Sequence, residues 1–212
     1  GHVDVDNGYD AFSLDNTRHT LSDEPGVDQQ ETSALGLDWQ RELDLMQLQT
    51  ALTGATTASV YSFDEDWSYV GIAPGLEYSS TDRYQRDRDS YSASARVVSN
   101  ERGRLFAGST DWVAGVYYLG DREQLERRYT YLEEDFDSRY DTDTYALFGQ
   151  LDSQLGERLK LINGLRLERR RTDYQDNNGV DSDPARTLWG GRTALEYQAS
   201  TEHMVYGAVS RG

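Results

Sequence analysis

The sequence predicts an all-β fold, an antiparallel meander forming part of a transmembrane β-barrel, and three observations lead to this prediction. Apolar and polar residues alternate along several runs, as they do in half-buried strands. The connections between the runs alternate between short turns and long polar loops. Fifteen tyrosines, four tryptophans and 19 glycines stand against three prolines. This composition suits strands, because aromatic side chains pack on pleated surfaces and proline interrupts ladders.

Four of about nine strand-like runs show the alternation most clearly. From Leu35 to Leu43 the odd positions are mostly apolar and the even positions mostly polar. Leu159–Glu168 places leucines at alternate positions, opposite Lys160 and Arg166. A helix would scatter these leucines around its circumference. The runs that begin at Tyr145 and Trp189 follow the same rule, so each strand has one apolar and one polar face.

The connections are sorted by length. Short turns are predicted at Glu42–Asp44, Asn100–Gly103, Gly156–Glu157 and Ser200–Glu202, and long acidic loops at Thr17–Gln30, Asp66–Arg86, Gly120–Asp141 and Asp173–Arg186. Short turns at one end of a meander and long loops at the other are typical of an outer-membrane barrel. A soluble sandwich has no reason to sort its loops in this way.

One segment allows two interpretations. Within Glu123–Phe136 the apolar residues Leu125, Tyr129 and Leu132 recur at helical spacing, which indicates a short amphipathic helix in the loop. The alternative is a long strand that extends above the membrane.

Composition excludes several function classes. The chain has 21 Lys and Arg against 38 Asp and Glu, a net charge of -17, which would repel nucleic acid. It has no cysteine for disulfides or thiolate metal sites. No apolar run reaches the roughly 20 residues of a membrane helix. The first residues lack an export signal, so a mature or truncated chain is expected.

Catalytic and metal-binding patterns are weak. The three histidines, His2, His19 and His203, lie far apart and beside no nucleophile pattern, so no enzyme and no cofactor are predicted. Oxygen-rich runs at Asp4–Gly8 and Asp176–Asp181 lack the full spacing of an EF-hand. Solvated turns are therefore expected there, and no metal site.

Several stretches resemble the barrel of TonB-dependent receptors, the active-transport proteins of Gram-negative outer membranes. The similarity lies in Ser94–Ser99, Trp112–Tyr118, Tyr145–Gln150, Leu159–Leu161 and Gly164–Arg166, taken in order. It extends over roughly Ser33 to Gly212, and the individual motifs are degenerate.

The resemblance implies a function and several partners. Family barrels have about 22 strands around an amino-terminal plug and import iron-siderophore complexes, vitamin B12-like cofactors or carbohydrates. Residues 1–212 would then be part of such a barrel, and we expect them to lack the plug domain and the closing strands. Partners would be outer-membrane lipid, the plug domain, the TonB energy-coupling complex and a small-molecule cargo. Because an unclosed sheet has open edges, self-association through edge strands is also expected.

Two other functions remain open from the sequence. A passive porin-like barrel would share the strand pattern without the plug. A soluble secreted β domain that binds glycans would account for the many aromatic residues and for the mean hydropathy of -0.80.

The strand pattern also assigns residues to the two faces. The candidates for the barrel lumen, and for substrate contact, are Arg96, Gln150, Asp152, Arg166, Arg192 and Glu196. The candidates for aromatic belts at the membrane interfaces are Trp39, Tyr117, Tyr145, Trp189 and Tyr197. Arg169 and Arg171 would share the face of the leucines and snorkel toward lipid head groups, where anionic lipopolysaccharide is a possible contact.

Overall fold

Ten strands form one antiparallel sheet in the computed structural model, which describes residues 1–8 and 19–212. The strands are His2–Asp6 (β1), Val27–Glu42 (β2), Met46–Asp64 (β3), Thr81–Ser99 (β4), Thr110–Tyr129 (β5), Phe136–Gln154 (β6), Leu159–Asp176 (β7), Asp181–Ser182 (β8), Ala185–Gln198 (β9) and Met204–Arg211 (β10). Their order in the sheet is β1-β2-β3-β4-β5-β6-β7-β9-β10, and β8 pairs with β7. The predicted meander is confirmed.

The central strands are longer than a membrane requires. Strand β5 has 20 residues and β3, β4 and β6 have 19 each. A strand tilted in a bilayer spans it with about 9–11 residues. About half of each long strand therefore extends beyond the hydrocarbon layer of a membrane.

This extension corrects the predicted loops. Most of Gly120–Asp141 is strand, and β5 and β6 are joined only by residues 130–135. The helix considered over Glu123–Phe136 is wrong, because Leu125 pairs with Ser138 across the sheet instead of following a helical turn. Strand β7 likewise continues to Asp176. A strand rich in charged side chains is stable in water, because hydrogen bonds to the neighbouring strands satisfy its backbone groups.

The remaining long connections are residues 65–80 and the segment before β2. Residues 9–18, which include the start of the predicted loop Thr17–Gln30, lie outside the described part of the chain. The end of that predicted loop belongs to β2, which begins at Val27. We call the sheet end that carries residues 65–80, 130–135 and 177–184 the loop end.

At the opposite end, the turn end, three connections are short, at residues 43–45, 155–158 and 199–203. The turn predicted at Asn100–Gly103 is longer than expected and continues to residue 109. The Asn100 side chain accepts hydrogen bonds from the backbone N–H groups of Arg102 and Gly103, which closes a 3₁₀ turn. Its amide donates to the carbonyls of Leu43 and Asp44, so this connection packs on its neighbour.

The sheet has no conventional apolar core. In the described part of the chain only Ala146 and Ala194 are buried apolar residues. Large apolar side chains are instead exposed, as with Leu35 at 78% and Leu165 at 61%. Water would oppose exposure on this scale, whereas hydrocarbon would not.

Within the described residues, no helix is both long and apolar enough to cross a membrane.

Candidate functional site: the polar face of the sheet

Cross-strand registers define two faces of the sheet, because paired residues project to the same side. The apolar face carries Leu35, Leu37, Leu52, Val116, Leu147, Leu165 and Leu167, which are linked through pairs such as Leu37↔Leu52 and Leu147↔Leu167. The opposite side is the polar face. Arg166 and Glu168 lie on it, opposite Phe148 and Ala146.

All six lumen candidates lie on the polar face. The registers connect them through pairs that include Gln49↔Arg96, Gln150↔Gly164, Asp152↔Ile162, Phe148↔Arg166, Gly164↔Arg192 and Lys160↔Glu196. The sequence pattern therefore assigned the side of the sheet correctly. Their contact with a substrate stays a prediction.

Four of the six make short contacts with their neighbours. Arg96 Nε donates to Gln49 Oε1 at 2.6 Å. Asp152 accepts from Gln150 at 2.7 Å and pairs with Lys160 at 2.8 Å. These contacts satisfy the side chains within the wall of the sheet.

Arg166 is also held in place. It binds Glu168 through two guanidinium nitrogens at 2.7 and 3.0 Å and lies 5.6 Å from the centre of the Tyr117 ring. Among the described residues, Arg192 has no ion pair, and its cross-strand neighbours are Gly164 and Ser210. Arg192 is thus the candidate cation that remains open for a ligand.

Toward the loop end, the polar face carries ion pairs that the sequence did not single out. Arg88 pairs with Asp121 at 3.0 Å, and Arg127 binds Asp82 at 2.6 and 2.9 Å. Asp82 is 3% exposed and also accepts from the hydroxyl of Tyr84 at 3.0 Å. These residues were missed because the segments around them resembled solvated acidic loops.

A second group on this face combines cations and hydroxyl groups. Arg170 and Arg186 are direct cross-strand partners, and like charges in this position repel each other. Neither forms an ion pair within the residues that the structure describes. Tyr140 lies nearby and its ring centre is 6.4 Å from that of Tyr174. Two guanidinium groups beside phenol rings can bind a flat or anionic ligand.

At the loop end, two neighbouring acids have opposite pKa shifts. Burial raises the pKa of Asp64, and the charge of Asp66 adds to this effect. Although burial opposes it, hydrogen bonds from Ser68 and Ser80 lower the pKa of Asp66. Their backbone N–H groups donate to Asp66 at 3.0 and 2.8 Å, so its carboxylate fastens residues 65–80 to the start of β4.

The aromatic belts need one correction. Trp39, Tyr145, Trp189 and Tyr197 lie on the apolar face as predicted, through pairs such as Leu167↔Trp189 and Leu159↔Tyr197. Tyr117 lies on the polar face, and the next residue, Tyr118, occupies the apolar face. The continuous apolar run around Tyr117 hid the alternation.

A row of three tyrosines marks the edge of the leucine-rich part of the apolar face, on the side toward the loop end. The ring centres of Tyr91 and Tyr118 are 6.0 Å apart, and those of Tyr118 and Tyr145 are 5.0 Å apart. Beyond this row, toward the loop end, the same face carries Arg122 and Asp143. The change from leucine to tyrosine to charge is that of a membrane interface.

No metal centre is found within residues 1–8 and 19–212, where no three His, Cys, Asp or Glu side chains are grouped to bind an ion. In both oxygen-rich runs the carboxylates bind the chain itself. Asp6 accepts from the N–H of Gly8 at 2.8 Å, and Asp176 accepts from Asn178 and Val180, each at 3.0 Å.

The two faces and the tyrosine row agree with a family comparison. The model described as "TonB dependent receptor-like, beta-barrel" matches residues 2–212. The chain belongs to the TonB-dependent receptor family. No curated protein matches it in sequence.

Solved receptors share the fold of this TonB-dependent receptor chain. The ferric yersiniabactin uptake receptor FyuA from Yersinia pestis aligns with a TM-score of 0.72 and 14% identity, over 98% of this chain and 32% of that one. The copper transporter OprC gives 0.66 and 17%, over 87% and 30%. The ferric preacinetobactin receptor BauA from Acinetobacter baumannii gives 0.61 and 17%, over 89% and 31%.

The family has two consequences for the chain. It is an outer-membrane component of Gram-negative bacteria, and the family to which it belongs consists of TonB-dependent transporters and receptors, not enzymes. The apolar face is accordingly the lipid-facing side of the sheet. The chain spans about a third of the structures that it matches.

Proposed function

We propose that this chain forms part of the channel wall of a receptor that takes up an iron-siderophore complex in a TonB-dependent step. The complete receptor would add a plug domain and contact the TonB complex, as the family implies. The receptors for ferric yersiniabactin and ferric preacinetobactin among the similar structures support iron as the transported metal. The polar face would line the lumen.

One observation supports a ferric chelate in particular. On the polar face, beyond the level of the tyrosine row, Arg170 and Arg186 are cross-strand partners, and Arg170 lies beside Tyr140. Ferric complexes of carboxylate and catecholate ligands are anionic and often carry flat rings. Guanidinium groups and phenol rings complement both properties. Arg192, the lumen candidate without an ion pair in the described residues, would give a further contact deeper in the channel.

Uptake of radioactive iron tests this proposal. Cells that lack their other iron receptors would carry the full-length protein and receive either ferric citrate or a ferric catecholate. We expect uptake that disappears when TonB is deleted. We also expect Arg170→Gln with Arg186→Gln to lower uptake about tenfold, since two charge-assisted contacts are lost.

A matched control is Arg128→Gln, which removes a guanidinium at the loop end of the other face, where its side chain is 62% exposed. This variant should transport like the wild type. Uptake that persists without TonB would support a passive pore instead. Iron uptake from neither chelate, despite a folded receptor, would reject ferric siderophores as the cargo.

A further inference from the structure

We propose that Asp64 is a proton-operated latch for the connection of residues 65–80, which is held most firmly when Asp64 carries a proton and Asp66 does not. Asp64 lies ten residues beyond Gly54, the cross-strand partner of Tyr91 in the tyrosine row. The longer loops of outer-membrane barrels face the outside of the cell, so Asp64 would respond to the external pH. The inference goes beyond the proposed cargo and does not depend on it.

Asp64 is a buried carboxyl group with one unsatisfied oxygen. Its exposed fraction is 0%. Its Oδ1 accepts a hydrogen bond from the backbone N–H of Trp67 at 3.1 Å, whereas its Oδ2 has no hydrogen-bond partner among the described residues. An ionised oxygen in this position is costly, because nothing replaces the water that it loses on folding. A proton on Oδ2 removes the charge and turns this oxygen into a donor.

The charged groups that act on Asp64 are carboxylates. Asp66 in the same connection and Asp23 in the segment before β2 both repel an ionised Asp64. Arg83 lies on the same face, opposite Ser62 in the register, but no ion pair joins it to Asp64 in the described part of the chain. Nor are three His, Cys, Asp or Glu side chains grouped to bind a metal ion anywhere that the structure describes. A proton is therefore the counter-charge that fits this enclosed position.

The two neighbouring acids respond to pH in opposite directions. Burial raises the pKa of Asp64, and the charge of Asp66 raises it further. Protonated Asp64 therefore stabilises the connection below the ordinary carboxyl pKa of about 3.9, and this contribution is lost as the pH rises through the folded pKa. Although burial opposes it, hydrogen bonds from Ser68 and Ser80 lower the pKa of Asp66. Ionised Asp66 stabilises the connection above about pH 3.9, so the hold is firmest near this value.

The latch holds Trp67 over the lumen side of the sheet. Trp67 stacks on Phe63, with ring centres 5.8 Å apart and ring planes at 18°. Phe63 is the cross-strand partner of Asp82 and so lies on the polar face. Trp67 has a backbone φ of 54°, in the left-handed region that bulky residues rarely adopt. Such a conformation persists only where its surroundings hold it, and the hydrogen bond to Asp64 is one such contact.

The segment before β2 is fastened to the same connection. Asp23 accepts hydrogen bonds from the backbone N–H of Val70 at 3.0 Å and from the hydroxyl of Ser79 at 3.2 Å. Its own N–H donates to the carbonyl of Ser68 at 3.2 Å. Because Asp23 also repels an ionised Asp64, loss of the proton from Asp64 should loosen these bonds together with the one to Trp67.

Hydrogen exchange of the full-length receptor in a nonionic detergent tests the latch. Protection of peptides that contain Trp67 and Val70 would be measured at pH 7 and about pH 4.5 and corrected for the intrinsic rate. Wild-type protection should be higher at about pH 4.5. Asp64→Asn, the neutral isostere, should raise protection at pH 7. The increase should be about tenfold for each unit by which the folded pKa of Asp64 exceeds its open-state value.

Glu77→Gln is the matched control, because it removes one negative charge from an exposed position of the same connection. Its protection should depend on pH as in the wild type. Two results would overturn the proposal: wild-type protection that does not rise on acidification to about pH 4.5, or Asp64→Asn protection at pH 7 no higher than that of the wild type. The gel shift of unboiled samples checks folding, and the wild-type comparison decides alone if Asp64→Asn does not fold.

A bound cation is the alternative counter-charge for Asp64. Calcium chloride added at pH 7 should leave the protection of Trp67 and Val70 unchanged, with sodium chloride at equal ionic strength as the control for screening. Protection that rises with calcium as much as with acid would show that a metal ion, and not a proton, closes the connection.

Discussion

Individual charged residues explain how strands continue beyond the membrane. Arg127 is a clear example, since it binds Asp82 through two nitrogens and lies 5.2 and 5.1 Å from the ring centres of Tyr84 and Tyr129. A carboxylate as buried as Asp82 needs such a partner, because an unpaired buried charge is costly. Paired charges therefore replace apolar contacts in this part of the sheet.

Arg127→Gln should destabilise the loop-end segments of β4 and β5. The substitution leaves the carboxylate of Asp82 buried without its cation, which should cost about 2 kcal/mol in local opening free energy. Hydrogen exchange of the backbone amides near Asp82 and Arg127 measures this quantity. Arg128→Gln, at an exposed position on the apolar face, should cost under about 1 kcal/mol. Equal effects of the two variants would contradict this account.

Asp66 should make the anchoring of residues 65–80 depend on pH. Its pKa is lowered in the folded chain, so ionised Asp66 stabilises the loop above the ordinary carboxyl pKa of about 3.9. This stabilisation is lost as the pH falls through the lower, folded pKa. Asp64 has a raised pKa and contributes with the opposite sign.

Hydrogen exchange at Ser68 and Ser80, corrected for the intrinsic rate, tests this pH dependence. Protection should be constant near neutral pH and decrease below about pH 4. Asp66→Asn should already have lower protection at pH 7. Protection that is the same at pH 3 and pH 7 would show that the hydrogen bonds to Asp66 do not hold the loop.

At the scale of the strand, close packing on the polar face fixes how neighbouring strands meet. Gly115 in β5 lies under the ring of Phe148 from β6. A Cβ placed there would come 2.5 Å from Phe148 Cζ and 2.9 Å from the carbonyl oxygen of Ala95 in β4. A glycine is therefore required for contact between three adjacent strands.

Gly115→Ala should lower the free energy of unfolding by about 1–3 kcal/mol, because the carbonyl of Ala95 belongs to the backbone and cannot rotate away. Urea unfolding of the receptor in micelles, followed by gel shift, measures the effect. Gly36→Ala in β2 is the control, since no atom lies within 4 Å of a Cβ at that position. A Gly115→Ala variant as stable as Gly36→Ala would show that the strands can move apart freely.

At the scale of the whole molecule, the sheet pairs each long strand with its neighbours but leaves outer edges on β1 and β10 in the described chain. In a bilayer an unpaired edge exposes backbone groups that nothing else can satisfy. Additional strands would have to pair with these edges in a closed barrel.

The 212-residue chain, expressed alone and refolded in detergent, should therefore self-associate. Strand pairing between copies would satisfy the open edges. Sedimentation or cross-linking should show dimers or larger species that increase with concentration, whereas the full-length receptor should stay monomeric. A monodisperse monomer of the short chain would mean that its two edges close on each other.

The sequence by itself determined the strand alternation, the side of the sheet for each of the six lumen candidates, and the positions of the short turns at residues 43–45, 155–158 and 199–203. These features are local, because a period of two places leucines on one face wherever the strand pairs. The family resemblance was likewise carried by the order of short motifs such as Tyr145–Gln150.

Only the tertiary structure decided where the strands end and which charges are neutralised. Acidic segments such as Gly120–Asp141 have the composition of loops, and they form strands because pairing with a neighbour supplies hydrogen bonds and countercharges. The partner of Asp82 is Arg127, which is distant in sequence. Arg122 likewise finds its carboxylates, Asp141 and Asp143, on the adjacent strand β6. No local pattern encodes that register.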